Sequence, residues 1–451
     1  MNILRNRRRQ VSNFFLIVFL SVSLSLNVLS QQKTEFLSLQ NAIEAATIGN
    51  NAVQSAKIDE IIASEKLKQT NAGFLPQVNF SYSALFTNNP SNAFGFNLQQ
   101  RNVKQEDFNP DLLNHPSGTS DFTTKIEVQQ PLVNLDAVYM KRSAAVQVEN
   151  YQLKTERTRD YLAFETRKAY YQLQLAHQAV MVLEEALTTV KSFYEFTTNR
   201  FDEGLVQKSD LLNVEVQVLD MESQLHEAKS NVQNASDYLS VLMNQSTGTI
   251  YTVSEISESS TDGEMILVVP DSRTDFKALQ KAMDAMQLMQ HSLKMKYLPR
   301  LNAFGSYQLN DKKLAAFNAD SYLAGIQLTW NLFDGNNIKR QINTLQSEKD
   351  KLNVQLKSMQ QENQMLLEKS YRDLFNALFK IKQQKAAVSQ ADESLRILQN
   401  RYEEGLVNTT DILNAQTQLS KQKLQLAQAI FSSNTTRAQI LFLTTTSSQS
   451  K

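Results

Sequence analysis

Few side chains in this sequence have the types and spacing that catalysis or metal binding requires. The histidines, His115, His177, His226 and His291, are scattered, and no two of them are four residues apart. Cys is absent, which excludes a thiol nucleophile, Cys-ligated zinc, iron–sulfur clusters and disulfides. The chain also lacks a Gly-rich phosphate loop and a nucleophile elbow. We therefore expect no enzymatic activity, no cofactor and no metal site.

The residues that do carry a signal form a repeated motif. RFDEGLVQKSDLLN at 200–213 aligns with RYEEGLVNTTDILN at 401–414, and eight of the fourteen positions are identical. The chain is therefore predicted to contain two copies of one unit. A segment at 247–270, rich in Ser, Thr and acidic residues, joins them.

Each motif has the composition of a tight turn between two helices. Gly204 and Gly405 supply the positive φ that the end of a helix needs. Ser209 and Thr410 are predicted to be the N-caps of the returning helices. The pattern therefore predicts two helical hairpins, with their tips at these glycines.

Two further features of the tips bear on function. Asp210 and Asp411 fall in the first turn of the returning helices, where the helix dipole favours a negative charge. The apolar pairs at 205–206 and 406–407 lie at the tips, where exposed apolar residues indicate a docking surface. Mutual packing of these pairs is an equally good explanation.

Apolar residues recur at heptad a and d positions along both hairpins. Before the first tip they are Leu173, Ala176, Val180, Leu183, Leu187, Val190 and Tyr194. After it they are Leu211, Val214, Val218, Met221, Leu225, Ala228, Val232, Ala235, Leu239 and Leu242. Before the second tip they are Leu374, Ala377, Ile381, Val388, Ala391, Leu395, Leu398 and Tyr402, with a polar interruption at Gln384. This period predicts coiled-coil packing of long helices.

Four segments alternate apolar and polar residues, at about 76–87, 121–131, 300–310 and 321–331. Each has close to the 9–11 residues with which a tilted strand crosses a bilayer, with one face suited to lipid and one to water. A half-buried sheet of a soluble protein has the same alternation. Four strands cannot close a membrane barrel, and open strand edges are not tolerated in lipid. Spanning strands would therefore require oligomerisation, and a water-filled pore favours three chains over two.

The N-terminus and the composition indicate where the chain is located and which partners it can have. A basic stretch at 5–9 and an apolar stretch at 11–29 predict an export signal over 1–30, with a membrane anchor as the alternative. The 46 basic and 46 acidic residues balance, which argues against a nucleic-acid partner. Only 11 Gly and 7 Pro occur, as expected of a mainly helical chain. No later run of eighteen apolar residues exists, so the mature chain is either soluble outside the cytoplasm or crosses a membrane as strands.

The predicted fold is mainly α, with long coiled-coil hairpins and four transmembrane strands per chain. Its parts are a signal peptide at 1–30, a first repeat at 31–246, a linker at 247–270 and a second repeat at 271–451. Within the repeats, the hairpins are predicted at about 136–246 with a tip at 200–210, and at about 336–443 with a tip at 401–411.

This order of strand pair and long hairpin, given twice, resembles the TolC-type outer-membrane efflux protein family. The tip motifs carry the resemblance, together with LP at 75–76 and 298–299, QPL at 130–132 and LFDG at 332–335. The resemblance implies a homotrimer in outer-membrane lipid, with a 12-stranded β-barrel and a 12-helix periplasmic tunnel. It also implies a passive exit duct of an efflux or type I secretion system, which a periplasmic adaptor protein opens and connects to an inner-membrane pump.

The resemblance assigns roles to tip residues. The implied adaptor-docking residues are Arg200, Phe201, Gly204, Leu205, Val206, Arg401, Tyr402, Gly405, Leu406 and Val407. The implied gate residues are Asp210, Tyr402, Asp411 and Asn414. Val407 replaces a gating Arg of the best-known multidrug members, and Asn414 replaces an Asp at their constriction. The gate of this chain is therefore expected to be less charged.

A structural or adhesive coiled-coil protein of the cell surface is the alternative function. A trimeric adhesin would have its membrane strands together at the C-terminus. Here the alternating segments form two separated pairs, and each pair precedes a long hairpin. The arrangement favours the export duct.

Overall fold

The computed structural model of the protein describes residues 34–258 and 265–446. The signal-peptide prediction for 1–30 lies outside them. The helices are α1 (Leu39–Gly49), α2 (Asn51–Gln69), α3 (Pro90–Gln99), α4 (Pro110–Asn114), α5 (Leu135–Asp202), α6 (Lys208–Leu242), α7 (Thr274–Met295), α8 (Asn337–Glu403) and α9 (Thr409–Thr444). The strands are β1 (Thr34–Phe36), β2 (Gln77–Thr87), β3 (Thr119–Val133), β4 (Ile250–Thr252), β5 (Arg300–Asp311) and β6 (Ala319–Thr329).

The chain divides into two compact units. The first, which we call the tip unit, combines residues up to Gln54 with Thr158–Pro270 and the residues from Glu362 onward. The second, which we call the sheet unit, combines Ser55–Arg157 with Asp271–Gln361.

In the tip unit, the predicted heptad residues form the core. Leu173 and Val190 of α5 and Val214 and Leu239 of α6 are almost completely buried. They belong to two apolar clusters to which α5 and α6 both contribute. Full burial of one such side chain stabilises the fold by about 1.5–3 kcal/mol. The predicted mainly helical fold with long hairpins is confirmed.

The described parts of the segment between the repeats pack against the helices of the tip unit. β4 pairs in parallel with β1. Tyr251 of β4 is buried, and its hydroxyl donates to Gln245 Oε1 at 2.8 Å. Farther along, the amide of Gln364 on α8 donates to the Leu267 carbonyl at 3.0 Å and accepts from the Val269 N–H at 3.1 Å. These contacts hold extended backbone against helices without a full sheet.

The sheet unit contains a four-stranded antiparallel sheet in the order β2-β3-β5-β6. The register aligns Phe80, Ile126, Tyr307 and Tyr322 across the strands, so these exposed apolar residues share one face. We call it the apolar face, and the opposite one the polar face. β3 is longer than predicted at both ends, and β6 begins and ends two residues earlier than predicted.

One aromatic residue stands on the polar face. Phe304 of β5 pairs with Gly325 of β6. A Cβ atom at Gly325 would come within 3.0 Å of the Phe304 ring, so the ring lies directly over this glycine. The absence of a side chain at 325 therefore accommodates the residue that interrupts the polar alternation.

The sequence analysis did not predict two long helices. α2 and α7 each precede a strand pair. The buried residues of α7 include Thr274, Gln290 and Ser292 beside Phe276, Ala278, Ala285 and Leu293, so polar residues interrupt its apolar period. In α2, Ile58 and Ile61 are exposed. None of the helices in the described ranges carries an apolar stretch that would reach across a bilayer.

Candidate functional site

The first hairpin turns through a Schellman motif. Gly204 has φ +76°, in the region that favours glycine. Its N–H donates to the Phe201 carbonyl at 2.9 Å, and the Leu205 N–H donates to the Arg200 carbonyl at 2.8 Å. These two bonds satisfy carbonyls that the end of α5 leaves free.

The second hairpin repeats this geometry. Gly405 also has φ +76°. Its N–H donates to the Tyr402 carbonyl at 3.0 Å, and the Leu406 N–H donates to the Arg401 carbonyl at 2.9 Å. The internal sequence repeat is therefore an internal repeat of backbone geometry at the tips.

The returning helices begin earlier than predicted. Asn408 is the N-cap of α9: its Oδ1 accepts from the Asp411 N–H at 2.9 Å, and its N–H donates to the Asp411 carboxylate at 3.3 Å. The N-cap of α6 is Gln207, whose N–H donates to the Asp210 carboxylate at 3.3 Å. The prediction of Ser209 and Thr410 as N-caps was therefore wrong by two residues.

Asp210 and Asp411 have the same local role in both repeats. Each carboxylate accepts the N–H of the N-cap residue three positions earlier, which completes a capping arrangement at a helix N-terminus. Within the described residues, neither of them forms an ion pair. Their charge is therefore available to any group that approaches the tip.

Tyr402 lies between the two hairpins. It is only 3% exposed, although it is one residue from the end of α8. Its hydroxyl lies 3.0 Å from the Thr197 hydroxyl on α5 and 3.0 Å from the Thr409 hydroxyl on α9. The rings of Phe193 and Phe196 on α5 pack against its ring, with centroids 6.3 and 5.4 Å away. The side chain thus links α5 to both helices of the second hairpin.

Arg200 makes a second link between the hairpins. Its guanidinium donates to the Tyr402 carbonyl at 3.3 Å, where α8 ends. The guanidinium carbon also lies 5.5 Å from the centroid of the Phe196 ring and 5.9 Å from that of Tyr402. A cation placed over aromatic rings and at a helix C-terminus is stabilised by both. We call Arg200, Thr197, Tyr402 and Thr409 the hairpin latch.

The apolar pairs at the tips divide by exposure. Leu205 is 61% exposed and Leu406 is 68% exposed. Val206 and Val407 are half-buried, and Val407 packs against the cluster that contains Tyr402. The valine of the second tip therefore packs inward, whereas the leucines of both tips are mostly exposed in the described residues.

Asn414 is exposed and lines a groove between α6 and α9 of about 630 Å³. The groove has amide, hydroxyl and charged walls. Its lining includes Gln217, Asp220, Gln224, Thr417, Lys421 and Gln425. The groove therefore offers hydrogen bonds along both helices that return from the tips.

One ion pair on α8 lies about two turns before its tip. Arg396 donates to both carboxylate oxygens of Glu393, at 2.8 and 2.7 Å. These hydrogen bonds lower the pKa of the Glu393 carboxyl and raise the pKa of the Arg396 guanidinium. Both side chains are more than half exposed, so the pair contributes little stability.

The latch partners of Tyr402 were not found from the sequence. Phe193, Phe196 and Thr197 precede the repeated motif, and Thr409 differs from its repeat equivalent, Lys208. The sequence signal that could have indicated the latch was the set of positions at which the two repeats differ. Tyr402 stands where the first repeat has Phe201, so only the second repeat carries a hydroxyl that a latch can use.

No metal-binding group emerges among the described residues. No cluster of three or more His, Asp or Glu side chains in 34–258 and 265–446 could hold a metal ion. His177 instead lies 2.8 Å from the Tyr251 carbonyl oxygen.

The family model described as "Outer membrane efflux protein" matches residues 42–245 and 270–445. The chain belongs to the outer membrane efflux protein family. The two matched ranges follow the two repeats, so the match covers the strands and both hairpins. The protein is an efflux channel of the outer membrane, with its helical part in the periplasm. This membership decides against the surface coiled-coil alternative.

Individual relatives agree with this family assignment. The chain is 21% identical over 435 residues to the outer membrane protein TolC of Salmonella enteritidis, covering 91% of this chain and 82% of TolC. Its fold is similar to that of the outer membrane protein VceC of Vibrio cholerae, with a TM-score of 0.74 at 15% identity over 90% of this chain and 96% of VceC. The CmeC outer membrane channel of Campylobacter jejuni has a TM-score of 0.71 at 17% identity over 90% and 85%.

Proposed function

We propose that three copies of this chain form one passive duct, with a shared 12-stranded barrel in the outer membrane. The carrying observation is the four-stranded sheet, in which β2 and β6 stand at the two edges. An unpaired strand edge in lipid costs several kcal/mol for each free backbone group. Pairing β2 of one copy with β6 of the next removes both edges, and three copies give a barrel wide enough for water.

The two faces of the sheet support this arrangement. The apolar face, with Phe80 and Tyr322 exposed, suits outer-membrane lipid. The polar face carries Lys125 and Glu127, paired at 2.7 Å, and the buried Asp121, with amides and hydroxyls between them. A lumen of this composition is wet and close to neutral. Such a lumen favours neither positively nor negatively charged cargo, so selectivity for the cargo would lie mainly in the inner-membrane pump.

The tips are the proposed docking surface for a periplasmic adaptor protein, which connects the duct to the pump. Leu205 and Leu406 are exposed at equivalent turns, and the glycines beside them fix the direction of the backbone. One exposed leucine at each of two equivalent turns, among polar residues, suits a partner with matching apolar pockets. Arg200, Phe201, Val206, Arg401, Tyr402 and Val407 would support these turns.

The gate is proposed to lie at the same tips. The latch holds the two hairpins of one chain together, and Asp210, Asp411 and Asn414 would line the narrowed end. Adaptor binding at the exposed leucines would separate the hairpins and break the latch. The chain itself would perform no covalent chemistry.

The first test is the native mass of the mature protein, extracted in detergent from the outer-membrane fraction. Three chains per particle are expected, because only a closed barrel satisfies the strand edges. A monomer in the soluble fraction would contradict the proposal.

Replacing Leu205 and Leu406 with Asp is expected to weaken adaptor binding strongly while the trimer persists. An Asp carboxylate placed in an apolar pocket of the adaptor would lose its water without gaining a partner, which weakens binding. The measurement is the amount of adaptor recovered with the trimer after cross-linking in cells. Replacing the exposed neighbours Glu203 and Glu404 with Ala is the matched control. Equal recovery from both variants would show that the leucines are not the contact.

A further inference from the structure

The segment between β2 and β3 is a folded insert. It lies at the end of the sheet opposite to the one at which β2 follows α2 and β3 precedes α5, and it contains α3 and α4. Ala93 is buried in it, and the rings of Phe94 and Phe108 meet edge to face with centroids 5.8 Å apart. A cavity of only about 40 Å³ remains between the helices. The insert therefore has a small apolar core of its own.

A buried carboxylate attaches the insert to the sheet. Asp121 of β3 is 1% exposed. Its oxygens accept from the Gln100 amide at 2.8 Å, the Asn310 amide at 3.0 Å and the Thr123 hydroxyl at 2.5 Å. Gln100, at the C-terminal end of α3, also donates to the Ser120 carbonyl at 2.8 Å. A buried carboxylate with this many donors resists rearrangement, because each lost bond would leave a charge unsatisfied.

This attachment lies on the polar face. Side chains alternate along a strand, so Asp121 and Thr123 share a face with Lys125 and Glu127. On β5, Asn310 pairs with Thr123 on the same side. In a barrel whose polar face is inside, the insert is therefore held on the lumen side of the wall.

A second contact extends across the end of the sheet. Arg101 has φ +56°, which an arginine seldom adopts. Its guanidinium donates to the Asp320 carbonyl at 2.6 Å and pairs with the Asp320 carboxylate at 3.1 Å. Asp320 lies near the start of β6, the last strand of the sheet. Asp320 shares its side of β6 with Tyr322 of the apolar face, so this second contact fixes the insert at the rim of the sheet, whereas the Asp121 attachment lies on the polar face.

The insert leaves apolar side chains uncovered. Phe108 is 61% exposed and Leu112 is 52% exposed. Phe108 touches Phe94, and Phe94 and Leu112 line the same small cavity, so the three form one patch. An exposed apolar patch on a segment that is fixed to the sheet indicates a surface that binds a protein partner.

We propose that the patches of three inserts pack against one another over the outer mouth of the barrel and narrow it. The inference depends on the proposed trimer. In that trimer the polar faces converge on one axis, so segments mounted on them converge as well. The occupant of each patch is the insert of a neighbouring copy. The duct would then be restricted at its outer mouth as well as at its periplasmic tips.

Cross-linking tests the contact directly, because the chain has no Cys. In the full-length trimer, Phe108→Cys treated with a short bis-maleimide is expected to give linked dimers and trimers. Lys313→Cys is the matched control. It lies in the exposed β5–β6 loop, where the Ala315 N–H donates to the Tyr82 hydroxyl on the apolar face, so it is expected to stay monomeric on a denaturing gel.

Access to the lumen tests the restriction. A single Cys at Ser83, on the polar face, would be labelled from outside intact cells with a polyethylene glycol maleimide. Phe108→Asp with Leu112→Asp is expected to raise the labelling rate several-fold, and so is Gln100→Ala. Gln99→Ala, at the exposed neighbour of Gln100, should leave the rate unchanged.

The outcomes separate this inference from the proposed trimer. Trimers by native mass that give neither cross-links at 108 nor faster labelling would overturn the restricted mouth and leave the duct intact. A monomeric native mass would overturn both. If the Asp variant fails to assemble, the cross-linking and Gln100→Ala results still decide.

Discussion

A chain carrying Gly204→Val and Gly405→Val is expected to reach the outer membrane as a trimer and to export nothing. Both glycines have φ +76°. A β-branched residue in this region costs about 1–2 kcal/mol or more, and the chain can avoid this cost by opening the turn. Opening the turn would lose the two hydrogen bonds of each Schellman motif and redirect Leu205 and Leu406. The coiled-coil core and the sheet do not depend on these bonds.

The matched control uses Asn at the same two positions, because Asn tolerates a left-handed backbone far better than valine does. A Cβ atom would meet nothing within 4 Å at Gly204 and only an Arg200 nitrogen at 3.5 Å at Gly405, so space is not limiting. Efflux in cells that lack the native channel is the measurement, with native mass as the check on assembly. Normal efflux by the Val variant would show that the tip turns do not direct docking.

Features with a short sequence period were predictable. Heptad spacing identified Leu173, Val190 and Val214 as core residues, because one turn of a coiled coil constrains them locally. The need for positive φ at Gly204 and Gly405 is likewise a property of one turn. Alternation placed the apolar face of the sheet, since a strand has a period of two.

Contacts between distant parts of the chain were not predictable in the same way. Tyr402 and Thr197 are 205 residues apart, and nothing in either local pattern indicates their hydrogen bond. Phe304 interrupts the polar alternation of β5, and the glycine that accommodates its ring, Gly325, lies on the next strand. The capping error arose because Asn408 and Thr410 are both good N-cap residues, and only the backbone decides between them.

The sequence located the hairpin turns but not the packing around them. The repeated motif located both tips, since a repeat is visible without knowledge of packing. It could not show that Leu406 faces outward while Val407 packs inward, because the two are adjacent and equally apolar. Their division depends on the Schellman turn, which gives the two residues different surroundings.

Combining Arg200→Ala with Tyr402→Phe is expected to produce a channel that opens without an adaptor. The Tyr402 hydroxyl connects Thr197 and Thr409, and its loss costs about 1 kcal/mol. Arg200→Ala removes the donor to the Tyr402 carbonyl and the contact with two rings, a further loss of about 1 kcal/mol. A trimer has three latches, so the combined loss of stabilising free energy shifts the equilibrium strongly from the closed to the open state.

Single-channel conductance of purified trimers in planar bilayers measures this shift, as more frequent and longer openings. The repeat provides the matched control in Arg401→Ala: Arg401 is equivalent to Arg200 in the motif but is exposed. Because both latch residues act on one interface, the double variant should differ from the sum of the single variants. If Arg401→Ala opens the channel as much as Arg200→Ala does, general loss of charge at the tip explains the effect. An increase confined to the latch variants would assign the closed state to the packing of one hairpin against the other within each chain.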